Sequence, residues 1–449
     1  MTPTRSRYQL LALFALVSLG AGVAVPSGAH AQQVRVETAL DHAVLKANDK
    51  QTAYLRVALT GFETPNDKAR APLNVAIVID KSGSMQGNKI AQAKEAAKAA
   101  LSQMREDDIV AIVAYDDTVE VLVPATKVSD RETIIRGIDR LSPGGMTALF
   151  GGVVKGASEV RKFLGRERVN RVILLSDGVA NVGPSSPRDL AQLGATLGRE
   201  GIAVTTVGLG LGYNEDLMVQ LALASGGQHV FIEHERQLAQ VFREGFGNLS
   251  SIVAKEVVVK IRLAEELRAV RVLGRDADIV GNSVTVQMPA IYARQLDDLV
   301  LEIETRPLSP RTLQVATIEV TYHNVISRAA DRISTTLTAE VSDELGAWEG
   351  SESRDVMVAV IERLANERSR LAVELRDKGQ TDEARRMLET NARELREGAA
   401  RYKSKTLDKL AKEYDRDSEN VEGESWNRQR KVIQRRNQAS PYQFDVNNF

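Results

Sequence analysis

Cysteine is absent from the 449-residue sequence. That excludes a disulfide framework and a lipidated N-terminal cysteine. Aromatic residues make up only 4% of the chain, which argues against a carbohydrate-stacking platform or a base-stacking groove. No charge of one sign prevails either. Charged residues are 27% of the total, yet the formal net charge is -1, so no field draws the whole protein to nucleic acid or an acidic membrane. Beyond the N-terminus no apolar run reaches the roughly 20 residues of a spanning helix. His42, His229, His234 and His323 stand alone, none in a His-Glu-x-x-His pattern, and surface or packing roles are expected for them. Gly83 to Lys89 lacks the spacing of a phosphate loop, and Gly208-x-Gly210-x-Gly212 lacks that of a dinucleotide fingerprint. There is no nucleophile elbow.

What is present begins with an export signal. Arg5 and Arg7 precede an uncharged apolar stretch, Leu10 to Val25, and Ala29-His30-Ala31 closes it with small residues around one position. This is the pattern of a cleavable signal peptide over 1–31, with cleavage expected after Ala31 and a periplasmic or secreted mature protein. Retention of the segment as an anchor stays open.

The remaining length suits roughly two to three domains. From Val34 to Phe62 the chain alternates as strands do, and Glu63 to Arg70 reads as a linker. Val75-Ala76-Ile77-Val78-Ile79 is an unbroken apolar run, the mark of a strand buried on both faces. Similar runs at Ile109–Ala114, Val172–Leu175, Ala203–Val207 and Val230–Ile232 are mostly separated by helical patterns. Residues 73–247 therefore predict an α/β domain: a mostly parallel six-stranded sheet with helices on both faces. The link from Tyr115 to Val121 is too short for a crossover, so Val119–Val123 should pair antiparallel. Alternation returns over 255–341. Residues 32–70 are too few to bury a core alone, and joined to 255–341 they make a β-sandwich into which the α/β domain is inserted. Residues 353–414 read as a helical hairpin broken at Gly379-Gln380. Residues 415–449, with Arg428, Arg430, Lys431, Arg435 and Arg436, read as a polar basic tail, partly disordered.

Three loops at one edge of that sheet carry matching chemistry. Asp80-Lys81-Ser82-Gly83-Ser84 follows the first buried strand, Gly144-Gly145-Met146-Thr147 precedes a helix, and Ser176-Asp177-Gly178 follows another strand. In an open parallel sheet, ligands bind at the carboxyl ends of the strands. Taken singly, the Ser and Thr residues read as helix caps and Ser-Asp-Gly as a turn. Taken together, Asp80, Ser82, Ser84, Thr147 and Asp177 are hard oxygen donors, suited to Mg²⁺, or to Mn²⁺ or Ca²⁺. Only Asp80 and Asp177 are anionic, so an ion held there stays electrophilic and accepts an outside carboxylate. Gly83, Gly144, Gly145 and Gly178 are expected to let the backbone turn tightly around it. Asp116-Asp117 falls in the predicted hairpin and is read as a turn.

On these residues, 73–247 resembles a von Willebrand factor type A domain, whose metal-ion-dependent adhesion motif Asp80-x-Ser82-x-Ser84, Thr147 and Asp177 match at every position. The resemblance implies Ser82 and Ser84 as direct ligands, with Thr147 and the aspartates bound directly or through water. The wider layout is similar to bacterial exported proteins related to calcium-activated chloride channel regulators and to inter-alpha-trypsin inhibitor heavy chains. The expected function is non-enzymatic: an exported, metal-dependent binding protein whose cation grips an Asp or Glu of a protein partner. The alternative is an envelope scaffold whose metal site does not work.

Overall fold

A computed structural model of the chain describes residues 33–64, 70–423 and 425–438. The expected signal peptide lies outside the described residues, as does the stretch after 438. Among the described residues no helix is long and apolar enough to cross a membrane.

The chain opens with β1 (Arg35–Leu40), β2 (Val44–Lys46) and β3 (Thr52–Thr60). An α/β unit follows: β4 (Leu73–Asp80), α1 (Asn88–Ser102), β5 (Ile109–Tyr115), β6 (Val119–Lys127), α2 (Arg131–Asp139), α3 (Leu149–Arg161), β7 (Val169–Ser176), α4 (Pro187–Arg199), β8 (Ala203–Leu209), α5 (Glu215–Ala224), β9 (His229–Ile232) and α6 (Leu238–Leu249). Strands resume with β10 (Ile252–Leu263), β11 (Leu267–Val272), β12 (Asp278–Val280), β13 (Ser283–Tyr292), β14 (Leu296–Thr305), β15 (Arg311–Asn324) and β16 (Ala329–Ser342). Five helices close the described chain: α7 (Leu345–Glu349), α8 (Arg354–Asp377), α9 (Thr381–Tyr402), α10 (Lys405–Glu419) and α11 (Trp426–Gln438).

The α/β unit is one sheet of order β6-β5-β4-β7-β8-β9, parallel except for β6, which pairs antiparallel with β5. β4, β5 and β7 are buried along their whole length, as unbroken apolar strands under two helical layers must be. Alternation divides the core. Val75, Ile77 and Ile79 pack with Ala93, Ala97 and Phe246 on one face. Ala76 and Val78 pack with Val153, Ala157 and Leu217 on the other. A Cβ added to Gly156 would lie 2.5 Å from Val78 Cγ2, so α3 presses directly on β4 and carries its N-terminus to the rim of the sheet.

The flanking strands form two sheets, β1-β3-β14-β11 and β12-β13-β10-β15-β16-β2. β3 runs antiparallel to β14, with Val57 opposite Leu299, and β2 runs parallel to β16. The α/β unit thus leaves the β-sandwich after β3 and returns to it at β10.

Two regions differ from expectation. α2, amphipathic with Ile134 and Ile138 buried, lies where no helix was predicted. The expected hairpin and basic tail are four helices, α8 to α11. Leu407, Ala411 and Tyr414 bury one face of α10, and Ile433 of α11 joins the same cluster. The basic residues of α11 are not loose in solvent. Arg430 meets Glu215, Asp216 and Asp377, Arg436 meets Asp417, and Arg428 meets Glu233.

Candidate metal centre

β4 ends at Asp80, and the chain enters a single 3-10 turn, Gly83–Met85, before α1. Asp80 is fully buried and both its oxygens are engaged. Oδ1 accepts the backbone N–H of Ser82 at 2.8 Å, and Oδ2 accepts the hydroxyl of Ser176 at 2.6 Å. Burial pushes the Asp80 carboxyl above its ordinary range against the pull of these hydrogen bonds, and Asp177 adds to the upward push. Asp80 therefore ties the first loop to the third and places a carboxylate beneath the cluster.

Above it, Ser82 Oγ lies 3.1 Å from Ser84 Oγ, which donates to Asp177 Oδ1 at 2.6 Å. Gly178 marks where the third hydroxyl sits. A Cβ there would be 3.3 Å from Ser84 Oγ, 3.4 Å from Thr147 Oγ1 and 4.0 Å from Ser82 Oγ. Three hydroxyls and one carboxylate oxygen from three loops thus converge. Ser82, Thr147 and Asp177 are buried, whereas Ser84 is exposed.

This donor set suits a hard cation. Adjacent oxygens on an octahedron around Mg²⁺, with bonds of about 2.1 Å, lie about 3 Å apart, close to the serine–serine spacing. Among the described residues no group of three or more His, Cys, Asp or Glu could hold a metal, so a carboxylate cage or imidazole site is absent there. Lys89, on α1, brings its ammonium to Asp177 Oδ2. The ammonium of Lys89 thus offsets the charge of the one carboxylate in the upper cluster.

Several supporting residues were not singled out from the sequence. Asn181 Oδ1 accepts the Thr147 N–H at 2.8 Å, and the Thr147 carbonyl accepts the Asn181 N–H at 3.1 Å, so the second and third loops are cross-tied. Ser176 was quoted only as part of Ser-Asp-Gly, without a role of its own, and Lys89 was given none; a lone Asn or Lys carries no spacing signal. Asp116 does form a turn, accepting the N–H and hydroxyl of Thr118, both at 2.8 Å. It does more. Its side chain pairs with Lys81, and its carbonyl accepts the Ala148 N–H at 2.7 Å. Burial alone would raise the Asp116 carboxyl, but Lys81 and Thr118 outweigh it and hold it low. Of the four glycines expected to let the backbone turn tightly, Gly145 alone takes a positive φ, 75°. A side chain there would strike Asp117.

The matches to known proteins follow the same lines. Residues 74–244 match the family model of the von Willebrand factor type A domain. An uncharacterized protein of Synechocystis sp. is 29% identical over 213 residues, covering 47% of this chain and 50% of that one. Inter-alpha-trypsin inhibitor heavy chain H3 of Homo sapiens is 31% identical over 177 residues, covering 37% of this chain and 20% of that one. The chain therefore spans half or less of these relatives. A solved structure, the von Willebrand factor type A protein from Catenulispora acidiphila, superposes with a TM-score of 0.67 at 17% identity. It covers 84% of this chain and 90% of that one, a likeness of fold extending beyond the α/β sheet.

Proposed function

We propose that Asp80, Ser82, Ser84, Thr147 and Asp177 hold a divalent cation, Mg²⁺ or in its place Mn²⁺ or Ca²⁺, and that the protein is a non-enzymatic binding protein. When bound, the ion supplies an open coordination position that takes the carboxylate of an Asp or Glu on a protein partner. The observation that carries this reading is the gathering of three hydroxyls around Gly178, with Ser84 donating to Asp177 Oδ1 and Asp80 tied to the Ser82 N–H and the Ser176 hydroxyl. The two carboxylates cancel the ion's charge no more than formally, and the neutral hydroxyls leave it electrophilic where a partner can reach it. The family of the 74–244 domain supports a protein-interaction role. The N-terminal pattern over 1–31 supports export to the periplasm or beyond.

Isothermal titration with Mg²⁺ and Mn²⁺ tests the metal step. Wild type should take up about one ion, and Asp80→Ala should lose it. Equal, negligible uptake by both would end the reading.

A second reading, a scaffold of the cell envelope without a working metal, draws on one observation: the Lys89 ammonium already neutralises Asp177. Pull-downs with and without EDTA separate the two, because a scaffold keeps its partners in chelator.

A further inference from the structure

We infer that two copies of this chain join edge to edge through β16, as a two-fold antiparallel strand pair centred on Thr335. The inference is independent of the metal reading. On one side β15 pairs with β16 from Ala329 to Val341. On the other, β2 covers only Glu340 to Ser342. Among the described residues, the edge from Ala329 to Ala339 has no second strand beside it. The β2 contact shows which backbone groups that edge presents. The Glu340 N–H donates to the Ala43 carbonyl at 3.4 Å, and the Ser342 carbonyl accepts the Ala47 N–H at 2.8 Å. Backbone groups alternate sides along a strand, and the register shift in this pair adds Val315 to β15, leaving β16 regular. Arg332, Ser334, Thr336 and Thr338 therefore aim their N–H and C=O groups at the open side.

Unpaired strand edges recruit other strands, and natural sheets blunt them with charge, proline, short length or a cover. The other sheet edges among the described residues are blunted in these ways. β1 exposes Arg35 and Glu37, β11 exposes Arg268 and Arg271, and β12 is three residues long. β6 contains Pro124, and α11 lies against the short β9. The open part of β16 contains no Pro, Gly or Lys. Its two charges are already taken within the chain: Asp331 accepts from Asn324 Nδ2 at 2.8 Å, and Arg332 pairs with Glu319.

The occupant is a second copy because the stretch complements itself. With Thr335 opposite Thr335, Ile333 meets Leu337, Ser334 meets Thr336 and Arg332 meets Thr338, each pair occurring twice. Ile333 and Leu337 are half-buried at the margin of the sandwich core, on the same face of the strand. Asp331 falls opposite Ala339, so no like charges face each other, and the pairing stops where β2 begins. A two-residue slip one way sets Asp331 against Leu337. A slip the other way needs the Glu340 N–H, which Ala43 already holds. Each dimer carries two candidate metal centres, the arrangement by which weak single contacts gain avidity.

Sedimentation equilibrium of the full chain tests the association, and cross-linking tests the register. The chain has no cysteine, so Thr335→Cys supplies a single thiol. Directly opposed, non-hydrogen-bonded positions lie within disulfide reach. Oxidised Thr335→Cys should run as a covalent dimer on a non-reducing gel, and Thr336→Cys, which faces Ser334, should not. At exposed positions, Ser334→Lys with Thr336→Lys sets ammonium against ammonium and should weaken self-association about tenfold. Ser334→Glu with Thr336→Glu should do the same. Mixed together, the two charge variants should associate with each other at least as tightly as wild type with itself, which misfolded chains could not do. Wild type that stays monomeric up to about 1 mM, the weak end of specific association, overturns the inference. So does a dimer that both charge variants retain. Slow hydrogen exchange at 332, 334, 336 and 338 in a monomer would show another segment of this chain on the edge, and overturns it as well.

Discussion

Lys431 of α11 and Glu215 of α5 form a buried ion pair across 216 residues of sequence. The Lys431 side chain is 1% exposed and its ammonium also lies 4.1 Å from the centroid of the Tyr213 ring. Burial alone would raise the Glu215 carboxyl, but Lys431 and Arg430 outweigh it and hold it low. Lys431 itself is lowered by burial, which the pull of Glu215 and Asp216 does not offset. The pair fastens the C-terminal helices to the loop that borders the metal cluster.

Breaking this pair should be costly. Lys431→Met removes one partner and leaves Glu215 buried with Arg430 alone, for an expected loss of about 3 kcal/mol. Lys431→Met combined with Glu215→Leu should recover part of it, because the orphaned charge is gone. Urea denaturation of the three proteins checks the order. A double variant no more stable than the single one would show that packing of α11, not the charge, dominates.

A second buried charge cluster joins the sandwich to α8. Asp298 of β14 accepts from Arg56 Nε at 2.6 Å and from Arg363 at 2.7 Å. Burial works to raise the Asp298 carboxyl, and the two guanidinium groups overcome it and hold it below the usual carboxylate range. A carboxyl depressed on folding contributes stability above its unfolded pKa of about 4, and that contribution fades as pH falls toward the folded value. Asp298→Asn should therefore cost about 3 kcal/mol at pH 7. The gap between the variant and wild type should narrow below about pH 4. Thermal unfolding at pH 7, 5 and 3.5 reads the trend, and a gap independent of pH would refute it.

Asn181 positions Thr147 and touches no proposed ligand atom. Asn181→Ala removes one hydrogen bond at an exposed residue, worth about 1 kcal/mol. The loss should appear as about fivefold weaker Mg²⁺ uptake with thermal stability nearly unchanged. Asn181→Asp keeps the acceptor at the same place and should restore most of the affinity. If Asp and Ala behave alike in titration, the cross-tie does not position the hydroxyl.

The parts of this molecule that were legible in its sequence are those with a period or a spacing. The apolar run from Val75 to Ile79 forecast a strand buried on both faces, and the short Tyr115–Val121 link forecast the antiparallel β6. Asp-x-Ser-x-Ser, Thr147 and Ser-Asp-Gly could be assigned to one rim because alternating strands and helices send their loops there. The C-terminal helices were not legible in the same way. Arg430 and Lys431 look like solvated charge until Glu215 and Asp216, more than 200 residues earlier, are brought beside them. Asn181 escaped for a different reason: its side chain acts through one hydrogen bond to the Thr147 N–H, and single polar residues in loops are too common to mark a site.

Lys89 offers the sharpest test of how the cluster treats a cation. Its ammonium pairs with Asp177 Oδ2, so an ion at the cluster must displace or tolerate it. Its side chain is 35% exposed, so solvent screens much of its charge. At about 5 Å in a water-like medium, repulsion from a unit charge is about 1 kcal/mol, and it is larger for a divalent ion or a drier path. Lys89→Met should therefore bind Mg²⁺ about fivefold to tenfold more tightly than wild type. The gain should be smaller at high ionic strength, where screening already weakens the repulsion. A polar control, Lys89→Gln, should give a similar gain, which separates charge from shape. Titration of the three proteins at low and high salt reads this directly. If both neutral variants bind Mg²⁺ no better than wild type, the ammonium does not compete for the site, and the scaffold reading loses the observation that favours it.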